Sequence, residues 1–205
     1  MASDSEAMAR PANLTLYSYC WSSCAHRVRI ALNLKGLEYE YKAVNLSKGD
    51  QFDPEFEKIN PLKFVPALVD GDVVVADSLA IILYLEDKYP QHPLLPQDLK
   101  KKAINLQVAS IVSSSIQPLQ SFFTRQFFEK RISLDEKLTS SQNHVNKGFA
   151  AIEKLIKEIA GKYATGDEVQ LSLYPTLARL NEAYAELPAF QAALPHRQPD
   201  APSTS

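Results

Sequence analysis

The sequence is poor in cysteine: only Cys20 and Cys24 carry thiols in 205 residues. Two thiols are too few for a disulfide framework or a structural zinc site. Their C-x-x-x-C spacing also misses the C-x-x-C of a dithiol redox motif. Neither sign of charge is in excess. Against 24 Asp and Glu stand 22 Lys and Arg, a formal net charge of −2, which gives no broad field for nucleic acid or an anionic membrane. No apolar run reaches the roughly 18 residues that a membrane span requires. The stretch from Met1 to Pro11 has no apolar centre of the kind a secretory signal needs. No repeat of solenoid period is present. These absences lead to the expectation of a cytoplasmic protein in a reducing setting, without metal, nucleic-acid partner or membrane. What is there is ordinary globular composition, 45% apolar and 22% charged. A chain of this size can bury roughly 70% of its unfolded surface, so a sizeable core is feasible.

Proline marks the main break. Pro90, Pro93 and Pro96 deny a helix its donors, so 91–98 reads as a linker. Over 12–90 short strands alternate with helices. Leu14 to Ser18 reads as a strand. Cys24 to Lys35, with Val28, Ala31 and Leu32 on one face and Gly36 as a stop, reads as a helix. Tyr39 to Ala43 alternates like a second strand. Ala67–Val69 and Val73–Ala76 flank Asp70-Gly71-Asp72, a hairpin signal. From Ser78 a helix follows, with Leu79, Ile82 and Leu83 on one face. This order predicts a mixed-sheet α/β domain of about 80 residues.

Over 99–194 the pattern is helical. A long helix to about Phe128 is interrupted at Pro118. Leu134, Leu138, Val145, Phe149, Ile152, Ile156 and Ile159 form an amphipathic stripe. Pro175 can open a shorter helix with Leu177, Leu180 and Tyr184. The Pro- and Ser-rich residues 195–205 are expected to be poorly ordered. The fold class is therefore α/β plus all-α.

Three short motifs could carry chemistry. In the first, Ser22-Ser23-Cys24 lies where the first strand meets the first helix, the usual ligand position in such sheets. A helix N-terminus there favours an anion. Ser22 or Ser23 could be a plain helix cap or a hydroxyl donor to a bound thiolate. Cys24 could be a small packed residue or a reactive thiolate. In the second, Val65-Pro66 precedes the third strand. A cis bond there would turn the Val65 backbone outward to pair with an extended ligand. In the third, Asp77-Ser78 opens a helix and could cap it, or could hold a carboxylate and an ammonium. Together the three would clasp a thiol, a peptide backbone and an amino-acid end. Glutathione has those three parts.

The run Ser22 to Leu32 (SSCAHRVRIAL) resembles the signature of the zeta-class glutathione transferases, the maleylacetoacetate isomerases. The similarity continues through LKGLEY (34–39), GDQF (49–52), VPAL (65–68), DSLAII (77–82), IQP (116–118), TGDE (165–168), LPAF (187–190) and QPD (198–200), and looks closest to plant members. The resemblance implies a thioredoxin-like N-terminal domain, a helical glutathione-transferase C-terminal domain and a homodimer, with glutathione as cofactor. It gives Ser22 the sulfur-binding role, with Ser23 and Cys24 as modulating neighbours and Arg27 as a nearby basic residue. Gln51, Val65 and Pro66 fall to the peptide part, Asp77 and Ser78 to the γ-glutamyl end, and Gln117 to a second-domain position near the ligand. The implied activity is isomerisation of maleylacetoacetate to fumarylacetoacetate in tyrosine and phenylalanine catabolism, with transferase and α-halo acid dehalogenating activity.

Two departures stand out. Cys20-Trp21 replaces an aromatic-plus-basic pair, and the helical domain looks shortened around 171–174, as in a truncated isoform. That loss leaves the stripe ending near Ile159 without an evident partner. Two other functions therefore compete with the isomerase: an impaired glutathione-binding or interaction protein, and a thiol–disulfide enzyme using Cys24.

Overall fold

The computed structural model describes residues 14–121, 124, 134–157, 159–160 and 185–202. The chain divides into two compact units. One holds Met1–Tyr89 and Ala192–Ser205, the other Pro90–Gln191.

The first unit runs β1 (Leu14–Ser18), α1 (Ser23–Leu34), β2 (Glu40–Ala43), a 3-10 turn (Asp50–Phe52), α2 (Pro54–Ile59), β3 (Ala67–Asp70), β4 (Val73–Ala76) and α3 (Ser78–Lys88). The strands form one sheet in the order β2-β1-β3-β4. β1 is parallel to β2 and antiparallel to β3, and β3 is antiparallel to β4. This is the mixed sheet that the element order predicts. The 3-10 turn and α2 fall where the sequence predicts only loop. Their signal was local: the Asp53 side chain accepts from Glu55 N–H, and Pro54 occupies the first turn. Six residues are too few to show a periodicity.

Helix α1 buries Ala25, Val28, Ala31 and Leu32. It ends as predicted at Gly36, whose φ of +67° suits a residue without Cβ. Leu37 N–H reaches Leu32 C=O at 3.0 Å and Gly36 N–H reaches Asn33 C=O at 3.1 Å, the paired bonds of a Schellman stop. Lys35, also buried, ties this end to α3 through Glu86 at 2.8 Å and the Tyr89 carbonyl at 2.9 Å. At the hairpin, buried Asp70 accepts from Tyr84 Oη at 3.0 Å, Tyr89 Oη at 2.8 Å and Lys88 Nζ at 2.8 Å. Burial pushes its carboxyl up, but these three donors outweigh it and hold the group below its ordinary value.

In the second unit α4 (Leu99–Ser110) is capped by Asp98, which accepts from Lys101 N–H at 2.8 Å. It widens into a π-helical turn (Ile111–Ile116), followed by α5 (Gln117–Gln120). Here Gln117 N–H bonds the Val112 carbonyl, five residues back. The widened turn lies directly before Pro118, whose ring would crowd the carbonyl four residues earlier in a regular helix. α6 (Leu134–Ile156) follows, and α7 (Pro188–Ala193) comes near the end of the chain.

The stripe on α6 has a partner, contrary to expectation. Ile152 and Ile156 are buried against Val108, Val112 and Ile116, with Phe149, Leu155, Ile159, Leu187 and Phe190 around them. Each such burial contributes about 1.5–3 kcal/mol. Gly148 permits the approach, because a Cβ there would lie 2.6 Å from Ile116 Cγ1. The helix predicted from Pro175 and the shortening at 171–174 lie outside the described residues.

The tail is a second correction. Instead of fraying from Pro195, the chain makes a 3-10 turn (Pro195–Arg197) and is described as far as Pro202. Gln198, buried, donates to the Ala192 carbonyl at 2.9 Å and the Leu194 carbonyl at 2.8 Å. Side-chain bonds of this kind order a segment whose composition alone reads as loose.

Candidate active site

The sheet register brings the three motifs to one end. Tyr17 pairs with Ala67, Ala67 with Ala76, and Ser18 with Ala43. The end of β1, the start of β3, the end of β4 and the end of β2 therefore share an edge. Ser22 follows the first, Val65-Pro66 precedes the second, and Asp77-Ser78 follows the third. Val44, Phe56, Val65 and Ala67 pack beneath this edge with Tyr17, Tyr19, Leu46, Ile59 and Ala76.

Ser22 is the N-cap of α1, with its Oγ accepting from Ala25 N–H at 3.1 Å. That bond uses one lone pair and leaves the hydroxyl proton to donate elsewhere. The plain cap and the thiolate donor, alternatives from sequence, are compatible in one side chain. Ser23 is exposed and begins the helix. Cys24 is half-buried; burial raises its thiol pKa and Arg27 offsets part of the rise. Burial thus disfavours the Cys24 thiolate, the form a nucleophile needs.

Arg27 is buried and donates through Nη1 to Ser78 Oγ at 3.0 Å. It brings positive charge to the N-terminus of α3. Asp77, not Ser78, caps that helix: its Oδ1 accepts from Leu79 N–H at 2.9 Å and Ala80 N–H at 3.1 Å. Those two amides are therefore unavailable to a ligand carboxylate, and Oδ2 takes no part in the cap. Asp77 sits at φ +75°, ψ 127°, a backbone state that costs a non-glycine residue about 1–3 kcal/mol. The Val65–Pro66 bond is cis.

Gln51 lies in the 3-10 turn with 2% of its surface exposed. Its Nε2 donates to the Leu46 carbonyl at 3.4 Å, while buried Oε1 has no hydrogen-bond partner. Such an acceptor suits a donor from a bound molecule. Gln117 belongs to the second unit, at the start of α5.

Sequence reasoning missed the groups behind Ser22. Arg29 has no exposed surface and donates to Ser18 Oγ, the Tyr19 and Cys20 carbonyls, and the Ala193 carbonyl. A charged residue between Val28 and Ile30, on the packed side of α1, was the available signal. Among the described residues no group of His, Cys, Asp and Glu could hold a metal, and no helix is long and apolar enough to cross a membrane.

Residues 21–88 match a family model described as glutathione S-transferase, N-terminal domain. A zeta-class glutathione S-transferase of Euphorbia esula is 56% identical, with 93% of each chain covered. A maleylacetoacetate isomerase of Rattus norvegicus is 42% identical over 92% of this chain and 95% of that one. The alignment to the Euphorbia protein runs over 210 residues while using 93% of this chain. That relative therefore carries residues without a counterpart here. Among solved structures, the maleylacetoacetate isomerase of Anaeromyxobacter dehalogenans with bound glutathione superposes with a TM-score of 0.80 at 37% identity, covering 93% of this chain and 98% of that one. A holo bacterial zeta-class maleyl pyruvate isomerase gives 0.83 at 33% identity, covering 92% and 100%.

Proposed function

This chain belongs to the zeta class of glutathione transferases, and on that premise we propose that it converts maleylacetoacetate to fumarylacetoacetate with glutathione as cofactor. The observation that carries the reading is the convergence of Ser22, Val65-Pro66 and Asp77-Ser78 at one sheet edge. The residues fit the tripeptide. Ser22 has a hydroxyl proton to give, Gln51 has a buried acceptor without a partner, and Asp77 keeps Oδ2 outside its cap.

Bound glutathione supplies a sulfur that adds to the cis double bond, allows rotation about the resulting single bond, and leaves again. Ser22 holds the sulfur ionised by donating a hydrogen bond from its hydroxyl, which keeps its proton; such a charge-assisted bond is stronger than a neutral one. The N-terminus of α1 adds its dipole to the same effect. Val65 aligns the tripeptide backbone as an added strand. Asp77 Oδ2 takes the γ-glutamyl ammonium, and Arg27, behind Ser78, biases that helix end toward the adjoining carboxylate. Ser23 and Cys24 shape the sulfur pocket.

The same sulfur can displace halide from small α-halo acids such as dichloroacetate, and that activity is part of the proposal. So are a homodimer and a cytoplasmic setting. Support for the dimer comes from Phe52, Leu62 and Phe64, large apolar side chains that are exposed. For the setting it comes from two unpaired cysteines.

The test is turnover of maleylacetoacetate by the full chain with and without glutathione. Product should form only with glutathione present, and the glutathione should be recovered unconsumed. Equal rates without it, or tight glutathione binding with no turnover, would refute the reading.

A further inference from the structure

Two residues before Ser22, the Tyr19–Cys20 peptide groups are held from both sides. On one side is Arg29, without exposed surface, donating from Nη1 to the Tyr19 carbonyl at 3.3 Å and from Nη2 to the Cys20 carbonyl at 3.1 Å. Its Nε donates to the Ala193 carbonyl at 3.1 Å, so the same guanidinium grips the returning tail. On the other side is Asp200 of that tail. Its Oδ2 accepts from Cys20 N–H at 2.9 Å, and its Oδ1 accepts from Tyr41 Oη at 2.7 Å. Tyr41 stands on β2 and pairs in register with Leu16 of β1. Ser22 N–H in turn bonds the Tyr19 carbonyl at 3.0 Å, so whatever fixes Tyr19 fixes the start of the Ser22 turn.

We propose that Asp200 is a positioning residue for glutathione chemistry: with Arg29 it clamps the Tyr19–Cys20 backbone and thereby sets where the Ser22 hydroxyl points. The inference rests on the role of Ser22 given above. A donor that must meet a sulfur at hydrogen-bond distance loses most of its effect when it turns or recedes by a few tenths of an ångström. The three partners of the loop differ in kind. The guanidinium holds carbonyls, the carboxylate holds the intervening N–H, and the sheet holds the carboxylate through Tyr41. Release of the tail frees the N–H and removes one anchor of Arg29 together. Among these groups only Asp200 is both charged and outside the sheet and helices. It is the part of the clamp that can be altered without breaking a regular element.

The experiment compares wild type, Asp200→Ala, Asp200→Asn, Tyr41→Phe and Ser22→Ala as full chains. It reads the ultraviolet thiolate titration of bound glutathione, the dissociation constant for glutathione, kcat and KM, all well below each protein's melting temperature. Asp200→Ala should raise the thiol midpoint by about one pH unit, a tenfold loss of thiolate below the midpoint. Its kcat should fall by a similar factor while KM for the electrophile changes little. Asp200→Asn retains an acceptor for Cys20 N–H and should stay within about threefold of wild type. Tyr41→Phe, which unhooks the carboxylate from the sheet, should shift the midpoint in the same direction by less. Should Asp200→Ala lower the melting temperature yet leave midpoint and kcat unchanged while Ser22→Ala shifts both, the clamp is overturned and the Ser22 reading stands. If Ser22→Ala itself titrates like wild type, that reading fails and the inference fails with it.

Discussion

On the function proposed above, Ser22 serves as helix cap and as sulfur donor with one oxygen, and substitution can separate the two. The cap bond to Ala25 N–H at 3.1 Å contributes about 1 kcal/mol to stability. In a chain of this size that corresponds to roughly 2–4 °C in Tm. The hydrogen bond to a sulfur anion contributes about 1.5–3 kcal/mol, which is about one to two units on the thiol pKa. Ser22→Ala removes both. It should melt a few degrees lower and titrate its bound glutathione about one to two units higher, with kcat/KM at pH 7 lower by about 10- to 100-fold. Ser22→Asp should divide the two effects. A carboxylate caps a helix as well as a hydroxyl and suits the positive helix end, so stability should equal or exceed wild type. The same negative charge faces the sulfur and disfavours its ionisation, so turnover should fall at least as far as in Ser22→Ala. Thermal melts and thiolate absorbance on the two variants decide the matter. An active Ser22→Asp, or a Ser22→Ala protein that loses stability but titrates normally, would reduce Ser22 to a cap.

Three further expectations follow from other parts of the molecule. His26 is held neutral, its pKa lowered from 6.5 to about 4 by burial and then by Arg29. The unfolded chain therefore binds the extra proton between those values. Stability should be level above about pH 6.5 on this account and fall by about 2 kcal/mol toward pH 4, after allowance for partial exposure. Denaturant melts of His26→Gln should lose that slope, and an unchanged slope would remove His26 from the account. Gly148→Ala places a Cβ 2.6 Å from Ile116 Cγ1. It should destabilise by about 1–3 kcal/mol despite the better helix propensity of alanine, and a variant that melts higher would contradict the packing. Finally, Phe64→Glu should weaken a homodimer built on the Phe52–Leu62–Phe64 surface. Sedimentation should show monomer at concentrations where wild type is dimeric; wild type that sediments as monomer would end that part of the proposal.

Much of the first unit was legible because its signals are local. Period-2 alternation marks β2, Asp70-Gly71-Asp72 with Gly71 at φ +64° turns the β3–β4 hairpin, and Ser22 and Asp77 stand where helices begin. These depend on neighbours within a few residues, and sequence displays neighbours. The zeta-class likeness was also carried by short runs, and the relatives bear it out. What sequence could not display were partners far along the chain. The α6 stripe read as uncovered because the shortening around 171–174 seemed to remove its partner, whereas Val108, Val112 and Ile116, far earlier in the chain, cover it. The tail read as loose because its order comes from Gln198 and Asp200 bonding, not from periodicity. Asp77 could be seen as a cap or a ligand group, but only its backbone angles and its two amide partners decide which oxygen is engaged.

Residue type and spacing thus determined the elements, the class and the three motifs, since each is encoded within a turn or a strand. Tertiary structure alone decided that Arg29 and Asp200, 171 positions apart in number, close on the Tyr19–Cys20 peptide group near Ser22. Long-range hydrogen bonds have no period, and a buried guanidinium looks in sequence like any other charge.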